Sequence, residues 1–557
     1  MEVLRADKIS FRYSTQAETL LRDVSFSLDS AGRVGLVGSN GSGKTTLLEL
    51  IRGQIEPTGG CLSFPDASDI GYLPQEIGFP ENVSVEDYLW QGLPVFAEVR
   101  SELAGTDIGS TRYAELITRY YEIGGAQAEA RMNRLLSGFR LDEAIRDRPL
   151  AQLSGGEKTK VALTRLLLRE PRLLLMDEPT NHLEIESLEW LEQFLSDSSL
   201  PFISVSHDRR FLDACTNTIW ELHNGLLTQY SGNYSFYRDA KETDRRRRQA
   251  EYDRQTARAR RLQEAAARQR TESNRSENFK FKRSVSKKGS VQKRDAGSGR
   301  SGVNASKQMK SAKALERRID SARKQAQEAK PFIEKERRIN IEGGSIGNAL
   351  VLEVRDLTHV FDKTPVFSGV TFALPPGARL GIIGRNGSGK TTLIELLAHI
   401  YEPTSGHVRW TPRARVAYYA QEHENLNPAS TILDEVLRGR ATEQTRARTI
   451  LGSLNIRREK VYDRIGNLSI GERSKTALAK ILLFDPDVLL LDEPTNHLEL
   501  TAREALEDAL VDYKGTVLLA SHDRYSLERI TTSILDLDRG RFYDGGYTDY
   551  LASLDDR

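Results

Sequence analysis

The stretch GSNGSGKTT at residues 38–46 returns with one substitution as GRNGSGKTT at residues 384–392. In both copies a Gln lies 31 residues after the lysine, a later Ser precedes an Asp by 23 residues, and that Asp precedes a His by 30. Only the interval from the Gln to the Ser differs, 79 residues in the first copy and 48 in the second. The matched spacing predicts two copies of one module, residues 1–235 and 349–557, with an insertion at about residues 96–130 of the first.

The segment between the modules, residues 236–348, differs from them in composition. Residues 238–338 hold about 32 Lys and Arg against 14 Asp and Glu, although the whole chain has a net charge of only +1. Residues 238–270 contain no Gly or Pro and are rich in residues that favour helices. Glycines fall at about 279–302, which predicts a basic helical hairpin with a glycine-containing tip. At 1.5 Å per residue its arms would be roughly 50–70 Å long.

Length and composition exclude several classes of protein. A chain of 557 residues is too long for one hydrophobic core. Its two cysteines, Cys61 and Cys215, lie far apart, so neither a disulfide framework nor a Cys-based zinc site is expected. The N-terminus lacks the apolar core of a signal peptide, and no run of about 18 apolar residues occurs. These features predict a cytoplasmic protein that does not span a membrane.

Both repeats satisfy the pattern of a phosphate-binding P-loop. Glycines let backbone N–H groups surround phosphates at a helix N-terminus, and Lys44 or Lys390 would reach the β and γ oxygens of ATP. Thr45 and Thr391 are candidate ligands of Mg²⁺. The predicted fold class is α/β, with two tandem P-loop ATPase domains joined by a long basic α-helical hairpin. The candidate nucleotide-binding residues are Gly38, Ser39, Asn40, Gly41, Ser42, Gly43, Lys44, Thr45 and Thr46, and Gly384, Arg385, Asn386, Gly387, Ser388, Gly389, Lys390, Thr391 and Thr392.

Two apolar runs end in paired acids, RLLLMDE in the first module and DVLLLDE in the second. Such runs are typical of buried parallel strands, whose carboxyl ends carry functional residues. Asp177 and Asp492 would orient the metal through water, and Glu178 and Glu493 would polarise the attacking water. A strand that ends in Asp-Glu is by itself usually a surface turn, and the shared spacing is what favours the catalytic interpretation.

A histidine follows a further apolar run in each module, His207 in SVSHD and His522 in LASHD. Each could form a hydrogen bond with the γ-phosphate. A lone histidine is more often structural, but here both modules have one at the same position.

The motifs LSGGE at 153–157 and LSIGE at 468–472 resemble the signature of the ATP-binding cassette superfamily. In that superfamily ATP lies head to tail between the P-loop of one cassette and the signature of the other. The resemblance implies one site formed by Lys44, Gln75, Glu178 and His207 with Ser469, Gly471 and Glu472. It implies a second formed by Lys390, Gln421, Glu493 and His522 with Ser154, Gly155, Gly156 and Glu157. In these sites Gln75 and Gln421 would also be ligands of Mg²⁺. Tyr13 and Phe361 stand where the family stacks an aromatic ring on adenine, although either could belong to the core instead.

The run DEPTNHLE at 177–184 and 492–499, together with the charged linker, resembles the ABC-F proteins more narrowly. These are cytoplasmic ATPases that act on ribosomes. Two positions depart from the family pattern: Glu184 and Glu499 stand where Asp is usual, and Ile470 replaces the first glycine of the second signature. Because of the second departure, the site that faces Ile470 is not expected to be fully active. A chain that holds both cassettes is expected to pair them within a monomer.

Other duplicated cassette ATPases fit the sequence less well. The ATPase subunit of a transporter would need membrane subunits and leaves the basic hairpin unexplained. Excision-repair ATPases carry cysteine clusters, and chromosome-organising ATPases carry much longer coiled coils within a cassette. Within the ABC-F family, the long linker and the modest insertion look more like the antibiotic-resistance members than the housekeeping translation factors, and the sequence leaves both roles open.

The basic stretch NFKFKRSVSKKGSVQKR at 278–294 is the predicted contact with RNA. Its basic side chains can neutralise phosphates, and its phenylalanines offer faces on which bases can stack. The alternative is a solvated spacer. By the same resemblance, the expected partners are rRNA and a tRNA at the exit or peptidyl site, with the tip reaching toward the peptidyl-transferase centre. The candidate contacts are Phe279, Lys280, Phe281, Lys282, Arg283, Lys287, Lys288, Lys293 and Arg294.

Overall fold

The fold comes from a computed structural model of the 557-residue chain. It describes residues 2–14, 19–64, 69–80, 83–181, 183–286, 314–315, 317–325, 327, 350–361, 364–385, 387–420, 426–456, 458–495, 498 and 500–555. The chain forms two compact units: residues 1–235 with 336–557, and residues 236–335. Both P-loop modules therefore belong to one unit, and the second unit falls within the predicted linker.

The first module alternates strands and helices. Its strands are β1 (Glu2–Phe11), β2 (Leu21–Asp29), β3 (Arg33–Val37), β4 (Gly59–Ser63), β5 (Ile70–Leu73), β6 (Leu173–Asp177), β7 (Phe202–Val205), β8 (Thr218–His223) and β9 (Leu226–Ser231). Its helices are α1 (Lys44–Ile51), α2 (Val85–Trp90), α3 (Pro94–Ala104), α4 (Thr111–Glu122), α5 (Gly125–Gly138), α6 (Gly155–Leu168), α7 (Ile185–Asp197) and α8 (Arg209–Cys215), with 3₁₀ turns at Glu143–Ile145 and Leu150–Gln152.

The second module repeats this order. Its strands are β10 (Leu352–Phe361), β11 (Thr364–Leu374), β12 (Arg379–Ile383), β13 (Ser405–Trp410), β14 (Val416–Tyr419), β15 (Val488–Asp492), β16 (Thr516–Ala520), β17 (Ser533–Asp536) and β18 (Arg541–Tyr543). The linker contributes α9 (Tyr234–Ser286), and the helices of the second module follow it. They are α10 (Lys390–Leu397), α11 (Ile432–Leu437), α12 (Gln444–Ser453), α13 (Ile470–Leu482), α14 (Leu500–Asp512), α15 (Arg524–Ile530) and α16 (Tyr547–Asp555), with 3₁₀ turns at Ala441–Glu443, Arg458–Tyr462 and Ile465–Asn467.

Each module contains a six-stranded sheet and a three-stranded antiparallel sheet. The six-stranded sheets have the orders β5-β6-β7-β3-β8-β9 and β14-β15-β16-β12-β17-β18, and only the last strand of each is antiparallel. Strands β6 and β15 are buried along their whole length, as expected for central parallel strands covered on both faces. The predicted α/β class is confirmed.

The strand order brings the repeated motifs to one edge of each sheet. Strands β6, β7 and β3 are neighbours, and the first acid pair, the histidine and the P-loop all follow their carboxyl ends. Strands β15, β16 and β12 do the same in the second module. In both modules, apolar residues of the antiparallel sheet, the six-stranded sheet and the helix after the P-loop form one core, which holds that helix against the sheet.

The insertion predicted at residues 96–130 consists mainly of α3 and α4 and leads into α5. The shorter second module has a 3₁₀ turn and the helix α12 in the corresponding interval. Helix α4 begins where the Ser110 hydroxyl accepts a hydrogen bond from the backbone N–H of Tyr113. Leu116 and Tyr120 are the buried residues of this helix.

The linker is helical where the structure describes it. Helix α9 (Tyr234–Ser286) has 53 residues, which corresponds to about 80 Å. It extends into the range predicted for the tip, and the rest of that range lies outside the described residues. Residues 317–325 are also helical, and the burial of Ala259, Ile319 and Ala322 fits the predicted hairpin. None of the helices in the described ranges is long and apolar enough to cross a bilayer.

Candidate functional site

The first P-loop joins β3 to α1. Gly43, the residue before α1, has φ of 100°, a backbone conformation that glycine adopts without strain. Lys44 begins the helix, and its Nζ donates hydrogen bonds to the carbonyl oxygens of Gly38 at 2.9 Å and Ser39 at 3.1 Å. The ammonium group therefore lies over the loop that would surround the phosphates.

The second P-loop has the same geometry. Gly389 has φ of 92°, and a Cβ there would lie 2.4 Å from Cγ1 of Val366. Lys390 donates to the carbonyl oxygens of Gly384 at 2.8 Å and Arg385 at 3.0 Å. Equal geometry in the two modules supports a nucleotide site in each.

The aspartates at the strand ends lie beside the P-loop threonines. Thr45 donates a hydrogen bond from Oγ1 to Oδ2 of Asp177 at 2.7 Å. Burial raises the pKa of Asp177, and Thr45 and Lys44 oppose that effect. In the second module the carboxylate of Asp492 is buried, which raises its pKa, while Thr391 and Lys390 oppose that effect. A buried carboxylate beside a P-loop threonine is suited to hold the water shell of a cation.

These residues fit Mg²⁺ that is carried by a nucleotide. In the described part of the chain no group of three or more His, Cys, Asp or Glu side chains could hold a metal ion. Mg²⁺ is usually held by one or two protein groups together with substrate phosphates and water. Thr45 and Gln75, which both line the cleft described below, would be the protein ligands in the first site. Thr391 would be a ligand in the second site, whereas Gln421 lies outside the described residues.

Glu178 and His207 form a pair in the first module. Glu178 has φ of 54°, a strained conformation for a residue with a side chain. The backbone N–H of His207 donates to Oε2 of Glu178 at 3.2 Å, and His207 Nε2 lies 3.2 Å from Oε1. Burial raises the pKa of Glu178 to about 7. Burial, helped by Arg503 and Lys44, lowers the pKa of His207 well below its usual range, so this imidazole is neutral.

Glu493 and His522 form the equivalent pair with longer contacts. Glu493 has φ of 47° and accepts a hydrogen bond from the backbone N–H of His522 at 3.4 Å. His522 Nε2 lies 3.6 Å from Oε1 of Glu493, which is too far for a hydrogen bond. Burial raises the pKa of Glu493 to about 8 and lowers that of His522 to about 3. Both glutamates have a pKa suited to a general base near neutral pH.

The signature motifs begin helices α6 and α13 with the same cap. Ser154 accepts a hydrogen bond from the Glu157 N–H at 3.3 Å, and Glu157 accepts one from the Ser154 N–H at 2.8 Å. Ser469 and Glu472 form the same reciprocal pair at 3.4 Å and 3.0 Å. Each glutamate is thus occupied in its own cap and does not point into the cleft.

One cleft of about 1140 Å³ is lined by both modules. The predicted residues that line it are Tyr13, Asn40, Gly41, Gly43, Lys44, Thr45, Thr46, Gln75, Asp177, Glu178, His207, Phe361, Gly387, Gly389, Lys390, Thr391, Thr392, Ser469, Gly471, Asp492, Glu493 and His522. The predicted residues that do not line it are Gly38, Ser39, Ser42, Ser154, Gly155, Gly156, Glu157, Gly384, Arg385, Ser388 and Glu472. The second signature therefore lies at this cleft together with both P-loops, whereas the residues of the first signature do not line it.

Several predicted residues cannot be placed. Asn386 and Gln421 lie outside the described residues, as do Lys287, Lys288, Lys293 and Arg294. The predicted contacts at residues 279–283 belong to α9, where the backbone alone is described.

The two aromatic candidates for adenine stacking have different surroundings. The Tyr13 hydroxyl lies 3.0 Å from Oγ1 of Thr46, and its ring packs edge-on against Phe11. Phe361 is 46% exposed and packs edge-on against His359. Both line the cleft, and Phe361 presents the more open ring.

Ile470 lies at the start of α13 and is 59% exposed. Its equivalent in the first module, Gly155, would meet no atom within 4 Å if it carried a Cβ. The backbone of the signature therefore leaves room for a side chain at this position, and Ile470 lines the cleft where a nucleotide would lie.

Sequence reasoning missed a set of arginines that join the modules. Arg209 donates a hydrogen bond to Glu507 at 2.8 Å, and Arg524 donates one to Glu192 at 3.1 Å. The two pairs occupy equivalent positions, since each arginine is two residues after the catalytic-site histidine of its own module. The repeated His-Asp-Arg sequence was the available signal, and only its histidine was considered.

The geometry defines the class of protein. Two P-loops, two acid pairs and two histidines lie at the ends of parallel strands, and the two modules share a cleft. The glutamates can accept a proton from water that attacks the γ-phosphate, and the lysines can stabilise the negative charge that develops there. The chain is a tandem P-loop ATPase that hydrolyses ATP at two sites.

Comparison with known proteins identifies the family. A sequence profile described as "ABC transporter" matches residues 21–181 and 367–496, and a second profile of the same description matches 220–296. The chain is 32% identical to the Putative ATP-binding protein YdiF of Bacillus subtilis, over 99% of this chain and 82% of that protein. It is also 32% identical to the Energy-dependent translational throttle protein EttA of Escherichia coli K12, over 95% of this chain and 92% of EttA. The chain belongs to the ATP-binding cassette family, in the F group of tandem-cassette proteins.

Solved structures agree on the fold. The RNase-L Inhibitor matches with a TM-score of 0.60 and 21% identity, over 98% of this chain and 93% of that one. Archaeal aABCE1, in its complex with the ribosomal stalk protein aP1, matches with a TM-score of 0.54 and 19% identity, over 95% and 87%. The tandem arrangement of two cassettes is therefore shared with solved proteins.

Proposed function

We propose that this chain is an ATP-driven translation factor that binds the ribosome through its helical linker. The observation that carries the proposal is a long, increasingly basic helical segment placed between two ATPase modules. The relative EttA, which aligns over nearly its whole length, is named as a translational throttle. Mg²⁺ as the metal and the cytoplasm as the location belong to the same proposal.

The basic surplus of the linker increases toward its centre. Residues 234–267 contain ten Lys and Arg against six Asp and Glu, and several of these pair along the helix, as Arg246 does with Glu242 at 2.8 Å. Such pairs stabilise an exposed helix and neutralise its charge. Residues 268–313 contain 14 basic against three acidic residues. A positive end on a helix of about 80 Å is suited to enter a cavity lined by RNA phosphates.

ATP would control this contact through the shared cleft. Nucleotide bound between the P-loop of Lys44 and the signature at Ser469 would hold the modules together, and hydrolysis would release them. Binding to the ribosome would then be favoured with ATP bound and lost after turnover.

Substitution of both Glu178 and Glu493 by Gln tests the ATP dependence. We expect the variant to bind ATP, to lose hydrolysis by about 100-fold or more, and to sediment with ribosomes in ATP better than the wild type. Glu56→Gln with Glu402→Gln is the matched control, because these glutamates occupy equivalent exposed positions outside the cleft. Near-normal hydrolysis in the first variant would contradict the assigned role of the glutamates. Hydrolysis lost without any gain in ribosome binding would contradict the proposed function.

Protection of the ribosome from antibiotics is a second candidate, favoured by the length of α9. A linker that reaches the peptidyl-transferase centre beside an exit- or peptidyl-site tRNA could displace a drug there. Cell-free translation with ribosome-targeting drugs separates the two roles when residues 279–302 are replaced by a short Gly-Ser loop. A protection factor should relieve inhibition only with the native segment, whereas a housekeeping factor should relieve none.

A further inference from the structure

Arg503 of the second module contacts the catalytic segment of the first. It lies on α14, its side chain is 11% exposed, and its Nε donates a hydrogen bond to the carbonyl oxygen of Leu498 at 3.0 Å. Its Nη1 donates a second hydrogen bond, at 3.2 Å, to the carbonyl oxygen of His207. The same nitrogen lies 3.9 Å from Oδ2 of Asp523. One guanidinium group therefore joins two segments of its own module to the histidine of the other.

The contact with His207 lies next to the general base. The N–H of His207 donates to one carboxylate oxygen of Glu178, and its ring nitrogen lies 3.2 Å from the other. A shift of the His207 backbone would therefore move both contacts that orient Glu178. Arg503 holds this backbone from the opposite module, so the first site is complete only when the modules are together.

Among the described residues, no donor of the first module supports the second site in this way. The position equivalent to Arg503 is Leu188, since each lies eleven residues after the aspartate at the end of its strand. Leu188 is a buried apolar residue that lines the cleft and offers no donor to the segment of His522. The contacts between Glu493 and His522 are 3.4 and 3.6 Å, longer than the 3.2 Å contacts of the first pair.

We propose that Arg503 is a positioning residue that acts in trans on the first ATP site. Its Nε is anchored on Leu498 of its own module and its Nη1 holds the carbonyl oxygen of His207, so the His207 segment is fixed and in turn orients Glu178 toward the attacking water. The two ATP sites of this chain thus differ in how they are assembled, and docking of the second module is a condition for hydrolysis in the first.

Single-turnover hydrolysis resolves the two sites. Glu493→Gln leaves Glu178 as the only intact base, and Glu178→Gln leaves Glu493. Arg503→Gln is added to each background, and hydrolysis of prebound ATP is followed by rapid quench, which does not require the modules to reopen. We expect a loss of about tenfold at the first site, as for removal of one charged hydrogen bond, and less than about twofold at the second. The ATP affinity should stay within about twofold of that of the same background with native Arg503. The substitution should therefore lower the rate of hydrolysis and not the binding of ATP.

Two further variants distinguish positioning from other roles. Arg503→Lys keeps the charge, but one ammonium cannot reproduce the fork that reaches both Leu498 and His207, so most of the loss should remain. Glu528→Gln removes the intermodule ion pair with Arg210 and should affect both sites equally. Thermal melting checks that each variant is folded. If Arg503→Gln does not fold, the comparison of the two sites is made with Arg503→Lys. Equal losses at both sites, no loss at the first site, or full recovery by lysine would overturn the proposal.

Discussion

The buried ion pair between Arg209 and Glu507 should contribute strongly to docking of the two modules. The arginine side chain is 5% exposed, that of the glutamate is 1% exposed, and Nη1 lies 2.8 Å from Oε2. Two charges about 4 Å apart attract by about 4 kcal/mol at an effective dielectric constant of about 20. Arg209→Met leaves Glu507 with two remaining donors, Ser526 at 2.8 Å and Arg529 at 3.3 Å. We therefore expect a net loss of about 2–3 kcal/mol, which weakens docking about 30-fold to 150-fold.

Energy transfer between one label on each module measures this equilibrium. The labels can be placed on cysteines introduced at the exposed residues Ile108 and Tyr462, after removal of the exposed Cys61. ATP is titrated in the variant with both catalytic glutamates replaced by Gln, and the midpoint of closure reports docking.

A double-mutant cycle isolates the contribution of the pair. Arg209→Met, Glu507→Leu and their combination should show a coupling energy of at least about 1.5 kcal/mol, because the combination leaves no unpaired buried charge. Arg112→Met is the matched control, since its 2.7 Å ion pair with Glu102 is exposed and lies within the first module. A coupling energy below about 0.5 kcal/mol would show that the pair behaves like a surface ion pair, and the reasoning would be refuted.

Three further predictions concern the nucleotide and the linker. Phe361→Ala should raise the KM for ATP by about tenfold through lost base stacking, whereas Tyr13→Phe, which loses only its contact with Thr46, should change it less than about threefold in steady-state assays. The β-branched side chain of Ile470 should hinder the approach of the signature backbone to the nucleotide, so the Lys44 site should hydrolyse ATP more slowly than the Lys390 site. Ile470→Gly should then raise the single-turnover rate of the Lys44 site. An unchanged rate would mean that the side chain does not hinder this site. Alanine at the four predicted basic contacts within 287–294 should reduce ribosome affinity. The slope of log affinity against log salt concentration should become less steep by about three or four, while ATP hydrolysis without ribosomes stays unchanged.

The sequence determined the parts of the protein that local pattern and spacing encode. A P-loop is a contiguous motif whose glycines and lysine act through adjacent backbone, so both nucleotide-binding loops could be predicted directly. The acid pairs and histidines were found because each follows a strand of one parallel sheet, and the ends of neighbouring strands meet whatever the intervening loops contain. The duplication strengthened each of these predictions, since two copies seldom preserve the same spacing by chance.

Tertiary structure alone decided how the two modules meet. Arg209 and Glu507 are almost 300 positions apart, and no local pattern shows that their side chains become buried together. The repeat suggested two equivalent sites. However, the first module has Leu188 where the second has Arg503, so at this position the first site receives a donor from the opposite module and the second site does not. The effect of this difference depends on which surfaces dock, because a contact across an interface is determined by the packing of whole domains. A loop that binds phosphate is instead determined by its own backbone.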